Sequence, residues 1–141
     1  MIAVSSLVLA ALEHRTFEEL TEVERVIATV WALEADVNNG GFDQFFFNSS
    51  GDLAFFAPKA LSIIGAPSTA MIVARANALF GAGGPPRERG LRQAQLAALQ
   101  GAEERLEELD VEFYEYLDDL TALMHRYISA NAPELLARVR T

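Results

Sequence analysis

Apolar residues recur at intervals of three and four along almost the whole chain, and no stretch sustains the period-two alternation of a half-buried strand. This pattern predicts an all-α protein, a single compact domain over residues 1–141 with about six or seven helices. A first short helix runs from Ile2 to Glu13, with Val4, Leu7, Val8 and Leu12 on one side. Thr16 with Glu19, and Thr21 with Glu24, have the spacing of capping boxes. A second helix then carries Leu20, Val23, Ile27, Val30 and Trp31 on one face to about Val37. Gly40 and Gly41 end it by offering the left-handed conformation.

Phe42, Phe45 and Phe46 follow at i, i+3 and i+4, so they share one face of a short helix. The aromatic group reads as core, with Phe47 and one of Phe55 and Phe56 turned to another face. Asn48 to Gly51 forms a turn. Asp52 is placed to cap a helix over about Leu53 to Ile64, which bends at Pro58 or starts late there. Another helix runs from Pro67 or Ser68 to about Phe80, and Gly81 to Pro86 is the clearest loop and a candidate hinge. From Arg87 onward the pattern is helical. Leu106, Leu109, Phe113, Tyr116, Leu120, Leu123 and Tyr127 form a heptad-like seam, interruptible at Gly101 or Asp110. Whether residues 103–130 form one helix or two is open. A last short helix begins at Asn131 and Pro133.

Composition narrows the function classes. The 141 residues are 51% hydrophobic, which supports a real core and argues against disorder. The absence of cysteine removes disulfides, thiolate metal sites and cysteine nucleophiles. The apolar start of the chain lacks a basic leader and is interrupted by Glu13, so neither a signal peptide nor a membrane span is expected, and the expected location is cytoplasmic. Net charge is −9, with one lysine and scattered arginines, so direct nucleic-acid binding and anionic membrane are disfavoured and basic proteins are favoured.

That charge is concentrated. Glu103, Glu104, Glu107, Glu108, Asp110, Glu112, Glu115, Asp118 and Asp119 put nine acids into seventeen residues, opposed only by Arg105. At about 1.5 Å of rise per residue the run covers about 24 Å, or one charge per about 2.7 Å; each strand of duplex DNA carries one per about 3.4 Å. On an unbroken helix Glu104, Glu108, Glu112, Glu115 and Asp119 form one stripe beside the apolar seam. Two readings stand. The stripe is a surface for a basic partner, with Glu103, Glu104, Glu107, Glu108, Glu112, Glu115, Asp118 and Asp119 as its binding residues. Alternatively it is a solvated face, and the protein acts as an accessory domain through an apolar or dimer surface.

Catalysis finds little support. Acid–base chemistry needs a pocket that separates two carboxyl pKa values, and surface acids lack one. His14 and His125 are far apart without a second ligand at metal spacing, and His125 is expected to be packed or capping. The Gly-Gly pairs lack the context of a phosphate loop. No catalytic residue, cofactor or metal site is assigned, and the expectation is a non-enzymatic protein.

The segment Asn39-Gly40-Gly41-Phe42, with Gln44-Phe45-Phe46, Asn48 and Gly51, resembles the "DNA mimic protein nineteen" family of small acidic bacterial domains. Weaker agreement follows at Ala60-Leu61, at Leu106 to Asp110 with Phe113-Tyr114, and at Tyr127-Ile128, so the resemblance covers roughly residues 20 to 130. It implies an all-helical acidic fold able to form a homodimer. It also implies an activity of imitating duplex DNA with carboxylates to occupy a DNA-binding protein. Asn39, Gly40, Gly41, Phe42, Phe45 and Phe46 are read as a structural motif, and no acidic position is carried over from the family.

Overall fold

In the computed structural model, which describes residues 15–135, the described chain is all-α, with no strand. The expected helix over residues 2–13 and His14 lie outside the described residues. A 3-10 turn, Phe17–Glu19, leads into α1 (Glu22–Phe47), and a second, Ser49–Leu53, into α2 (Ala57–Ile63). The remaining helices are α3 (Pro67–Ala78), α4 (Arg89–Ala98), α5 (Ala102–Tyr114) and α6 (Leu120–Asn131). Pro133 starts a further turn, of which residues 133–135 are described.

Both capping boxes form. The Glu24 carboxylate accepts from the Thr21 N–H at 2.9 Å, and the Glu24 N–H donates back to Thr21 Oγ1 at 3.2 Å. Such reciprocal caps satisfy donors that the first turn of a helix cannot pair internally. From that start α1 buries Ile27, Val30, Leu33 and Val37, then breaks at Gly40 and Gly41 and restarts at Phe42. Gly41 takes φ 76° with ψ −177°, so the break is an extended positive-φ kink and not the left-handed stop expected from the sequence. Phe42, Phe45 and Phe46 are fully buried, as their shared face requires, and Phe47 is 51% exposed. The Phe42 ring meets Phe113 of α5 edge-on at 5.8 Å, and the Phe46 ring meets Phe80 at 4.9 Å. The core is thus a cage around the second part of α1, with walls from α2, α3, α5 and α6.

Two expectations are corrected, the Asp52 cap and the packed or capping His125, and two open points are settled. The segment after the turn starts late: α2 begins at Ala57 with Pro58 in its first turn, where a missing N–H costs nothing, and Asp52 caps no helix. The acidic run is not one helix. Gly101, at φ 72°, separates α4 from α5, and α5 ends at Tyr114, before Tyr116 at φ 49°. The apolar seam is therefore divided between α5 and α6, and Tyr116 leaves it to reach α1. His125 is exposed, because Met124 and Ile128 supply the buried face of α6.

Candidate functional site

The short Phe42–Phe47 segment is clamped at both ends by side chains from two other helices. At its start, the Phe42 N–H donates to Asp110 Oδ1 at 2.8 Å. One turn later on the same face of α5, the Tyr114 hydroxyl donates to the Val37 carbonyl at 2.6 Å. Asp110 and Tyr114 thus take up a donor and an acceptor that the Gly40-Gly41 break leaves without helical partners. At the other end, three consecutive carbonyls are held from α4. Arg92 donates to Phe46 and Asn48, and Arg89 and Gln93 donate to Phe47. Within α1 itself, Asp36 Oδ1 accepts from Gln44 at 2.7 Å and from Asn48 at 3.3 Å, tying the two halves across the kink. Asn39 donates to Gln44 Oε1 at 3.0 Å. The polar residues of the motif are therefore a hydrogen-bonded brace.

Against this frame the acids separate by role. Asp118 accepts from the Thr69 N–H at 2.8 Å and from its hydroxyl at 3.1 Å, closing the first turn of α3. Asp119 caps α6 by accepting from the Ala122 N–H at 3.1 Å. Glu112 pairs with Arg75 of α3 at 2.5 Å. Arg105 and Glu108 border the same shallow hollow as that pair, so cations interleave this side of α5. Glu115 lies beyond the end of α5, exposed in the loop to α6.

Glu103, Glu104, Glu107 and Glu108 remain. All four are exposed within one and a half turns of α5, and none is in an ion pair among the described residues. The structure adds a carboxylate that sequence spacing could not connect to them. Asp43, exposed on the clamped segment, acts on Asp110 across the α1–α5 junction, and Glu107 acts on it from within α5. Burial is the largest influence on Asp110 and pushes its carboxyl above the ordinary 3.8; the Phe42 N–H pulls it down, and Glu107 and Asp43 push it further up. Tyr116 is pushed up to about 12, first by burial and then by the Glu34 carboxylate its hydroxyl donates to, with the Asn38 amide acting in the opposite direction.

The raised Asp110 carboxyl has a pH consequence. A carboxyl whose pKa rises on folding favours the folded state when protonated, and that contribution is lost as pH rises through the folded value. Asp110→Asn keeps an oxygen for the Phe42 N–H and removes the buried charge. The variant is expected to be more stable than wild type at pH 7, with the difference shrinking as pH falls toward 3.8. Urea midpoints of both proteins across that range check this. The difference between proteins is the informative quantity, because Glu24, held below its usual range chiefly by its hydrogen bond from Arg15, weakens both equally in acid. A variant that is less stable at every pH contradicts the expectation.

A family model for DMP19-like protein matches residues 18–131, a range that contains the clamped segment, its brace and the whole of α5. The chain belongs to the DMP19-like protein family. No curated protein and no solved structure matches it. The Asn39-Gly40-Gly41-Phe42 segment lies within the matched range, and in this structure it sets the segment bearing Asp43 against α5.

Among the described residues no group of three or more His, Asp or Glu is placed to hold a metal ion, and no helix is long and apolar enough to cross a membrane. The residues of the candidate site that sequence reasoning missed are Asp43 and the α4 clamp, chiefly Arg92 with Arg89 and Gln93. Asp43 carried no signal beyond its place one residue after Phe42. Arg92 sits in a helix of mostly polar and small residues that reads as solvated.

Proposed function

We propose that this chain is a non-enzymatic binding protein that presents the carboxylates of α5 to a basic, DNA-binding protein, in the manner of a DNA mimic. The observation that carries the proposal is the set of four unpaired, exposed glutamates at Glu103, Glu104, Glu107 and Glu108, with Asp43 beside them. At about 1.5 Å of rise per residue the four glutamates span about 7.5 Å, a mean spacing of about 2.5 Å of axis. Duplex DNA carries one charge per about 3.4 Å on each strand and about 1.7 Å with both strands counted. A partner evolved to neutralise phosphate meets a comparable density here over a short length. The family's name, which refers to DNA mimicry, supports the same reading.

A specific observation favours a second reading. Val111 and Leu117 are 62% and 68% exposed, with Tyr114 half-exposed between them. This apolar patch at the end of α5 suits a dimer or accessory interface, with the acids serving as its soluble rim.

Salt separates the two readings. Immobilised wild type and a Glu103/Glu104/Glu107/Glu108→Gln variant are exposed to host lysate and eluted with stepwise salt. Mimicry predicts DNA-binding proteins on wild type alone, released by moderate salt and displaced by added duplex DNA. Identical partners on both baits, held through high salt and lost on Val111→Asp, would transfer the function to the apolar patch.

A further inference from the structure

Beside the acidic face lies a groove of about 370 Å³, bordered by α4, α5 and the clamped segment. Its apolar surface comes from Leu96, Leu99, Ala102 and the half-exposed Phe47 ring, and its acids are Asp43 and Glu103. Neither carboxylate has a cation within ion-pair distance among the described residues. A wholly apolar occupant would strip water from two carboxylates without replacing it, and a purely cationic one would leave the apolar floor wet. An arginine beside a large apolar side chain satisfies both. Its alkyl stem and its neighbour cover the leucines, its guanidinium donates to the carboxylates, and the Phe47 face is free to stack on it.

We infer that this groove is the anchoring subsite for the partner, taking an arginine flanked by a large apolar residue from the partner's surface. The inference rests on the binding-protein reading above and adds a selectivity that charge density lacks. The acidic face of α5 would attract any polycation, whereas the groove accepts one kind of side-chain pair.

The test is a titration of the isotopically labelled full chain with two probes: a helical peptide carrying one Arg-Leu pair at i, i+4, and hexalysine. Ala97→Phe fills the groove from an exposed lining position. Asp43→Asn with Glu103→Gln removes its acids at two exposed sites, so neither variant depends on refolding the core. The expected result is that the Arg-Leu peptide shifts the Leu96, Leu99 and Ala102 amides and binds roughly tenfold more weakly to each variant. Hexalysine should bind wild type and Ala97→Phe alike. If Ala97→Phe leaves the peptide's affinity unchanged, or the shifts lie elsewhere, the groove assignment is overturned while salt-dependent hexalysine binding keeps the acidic-surface reading. Failure of both probes to bind removes both. Wild type sedimenting as a dimer and Ala97→Phe as a monomer would show a second copy in the groove, which also overturns the inference.

Discussion

Replacing Arg92 with Met is expected to cost about 3–5 kcal/mol of folding stability, a large share of the roughly 5–15 kcal/mol typical of a domain. Arg92 is completely buried, yet the groups around it are chiefly backbone carbonyls. Nε donates to Phe46 O at 2.6 Å and Nη2 to Asn48 O at 2.7 Å; Nη1 donates to Pro86 O at 3.1 Å and Arg87 O at 3.0 Å. A guanidinium suits this place because it spreads five N–H donors in a fixed plane, so it joins the end of the clamped segment to the loop before α4. Met fills similar volume and donates nothing, leaving buried acceptors unpartnered at about 1–3 kcal/mol each where water cannot reach. Lysine keeps the charge but cannot span both groups, so Arg92→Lys should lose most of the same stability. Asp52 gives a useful contrast. Its Oδ1 is 2.9 Å from Nη1, but it lies off the N–H direction and forms no hydrogen bond, and its side chain is half exposed. Asp52→Ala removes a carboxylate near the buried guanidinium but no hydrogen bond, so it should cost less than Arg92→Met. Urea unfolding of the three variants measures all of this, and an Arg92→Met loss no larger than that of Asp52→Ala would refute the carbonyl account. Gly51 belongs to the same lock, because a methyl there would come within 2.6 Å of Arg92 Nε and 2.7 Å of Phe45 O.

The same residue shows where sequence reading reached its limit. Spacing rules detect what repeats, and the core of α1 repeats: Ile27, Val30, Phe42, Phe45 and Phe46 were legible because each buried face returns every three or four residues. The capping boxes were legible because both partners lie within one turn. Arg92 binds carbonyls as far as 46 residues away, and its own helix looks soluble. Asp110 and Tyr114 are a turn apart and so share a face, but nothing local says that they meet a broken helix 68 and 77 residues earlier. The end of α5 was hidden for another reason. No glycine or proline marks it, and Tyr116 accepts a positive φ while its hydroxyl joins Asn38 and Glu34 of α1. Asp119 directly before Leu120 and Leu123 is a helix-start signal legible in the sequence, whereas the contact of Asp118 with Thr69, 49 residues away, is not.

Gly41→Ala is expected to cost about 2–4 kcal/mol and, without altering any acid, to weaken partner binding. Two effects combine. At φ 76° and ψ −177° the backbone occupies a region reserved for glycine, worth about 1–3 kcal/mol of strain for any other residue. A Cβ at that position would also overlap the Asp110 carboxylate, forcing it off the Phe42 N–H and removing a cap worth about 1 kcal/mol. The neighbouring Gly40 has no positive φ but is crowded too: its methyl would meet the Gln44 amide, which can move, and would lie 2.9 Å from Gln44 Cβ, which is fixed to the helix backbone. A double-mutant cycle isolates the Asp110 contact. Asp110→Ala alone loses the cap; in that background Gly41→Ala has no carboxylate to strike and should cost only the backbone strain. The two substitutions should therefore fall short of additivity by about 1–2 kcal/mol, and strict additivity would mean that the carboxylate swings away freely and that strain alone excludes a side chain. The binding effect follows from the same contact. Asp110 holds α5, with Glu103 and Glu107, against the segment that carries Asp43, so loosening the clamp scatters carboxylates that must act together. Loss of affinity in Gly41→Ala under conditions where the variant remains folded would tie the Gly-Gly-Phe motif to function through the spacing of the acids it positions.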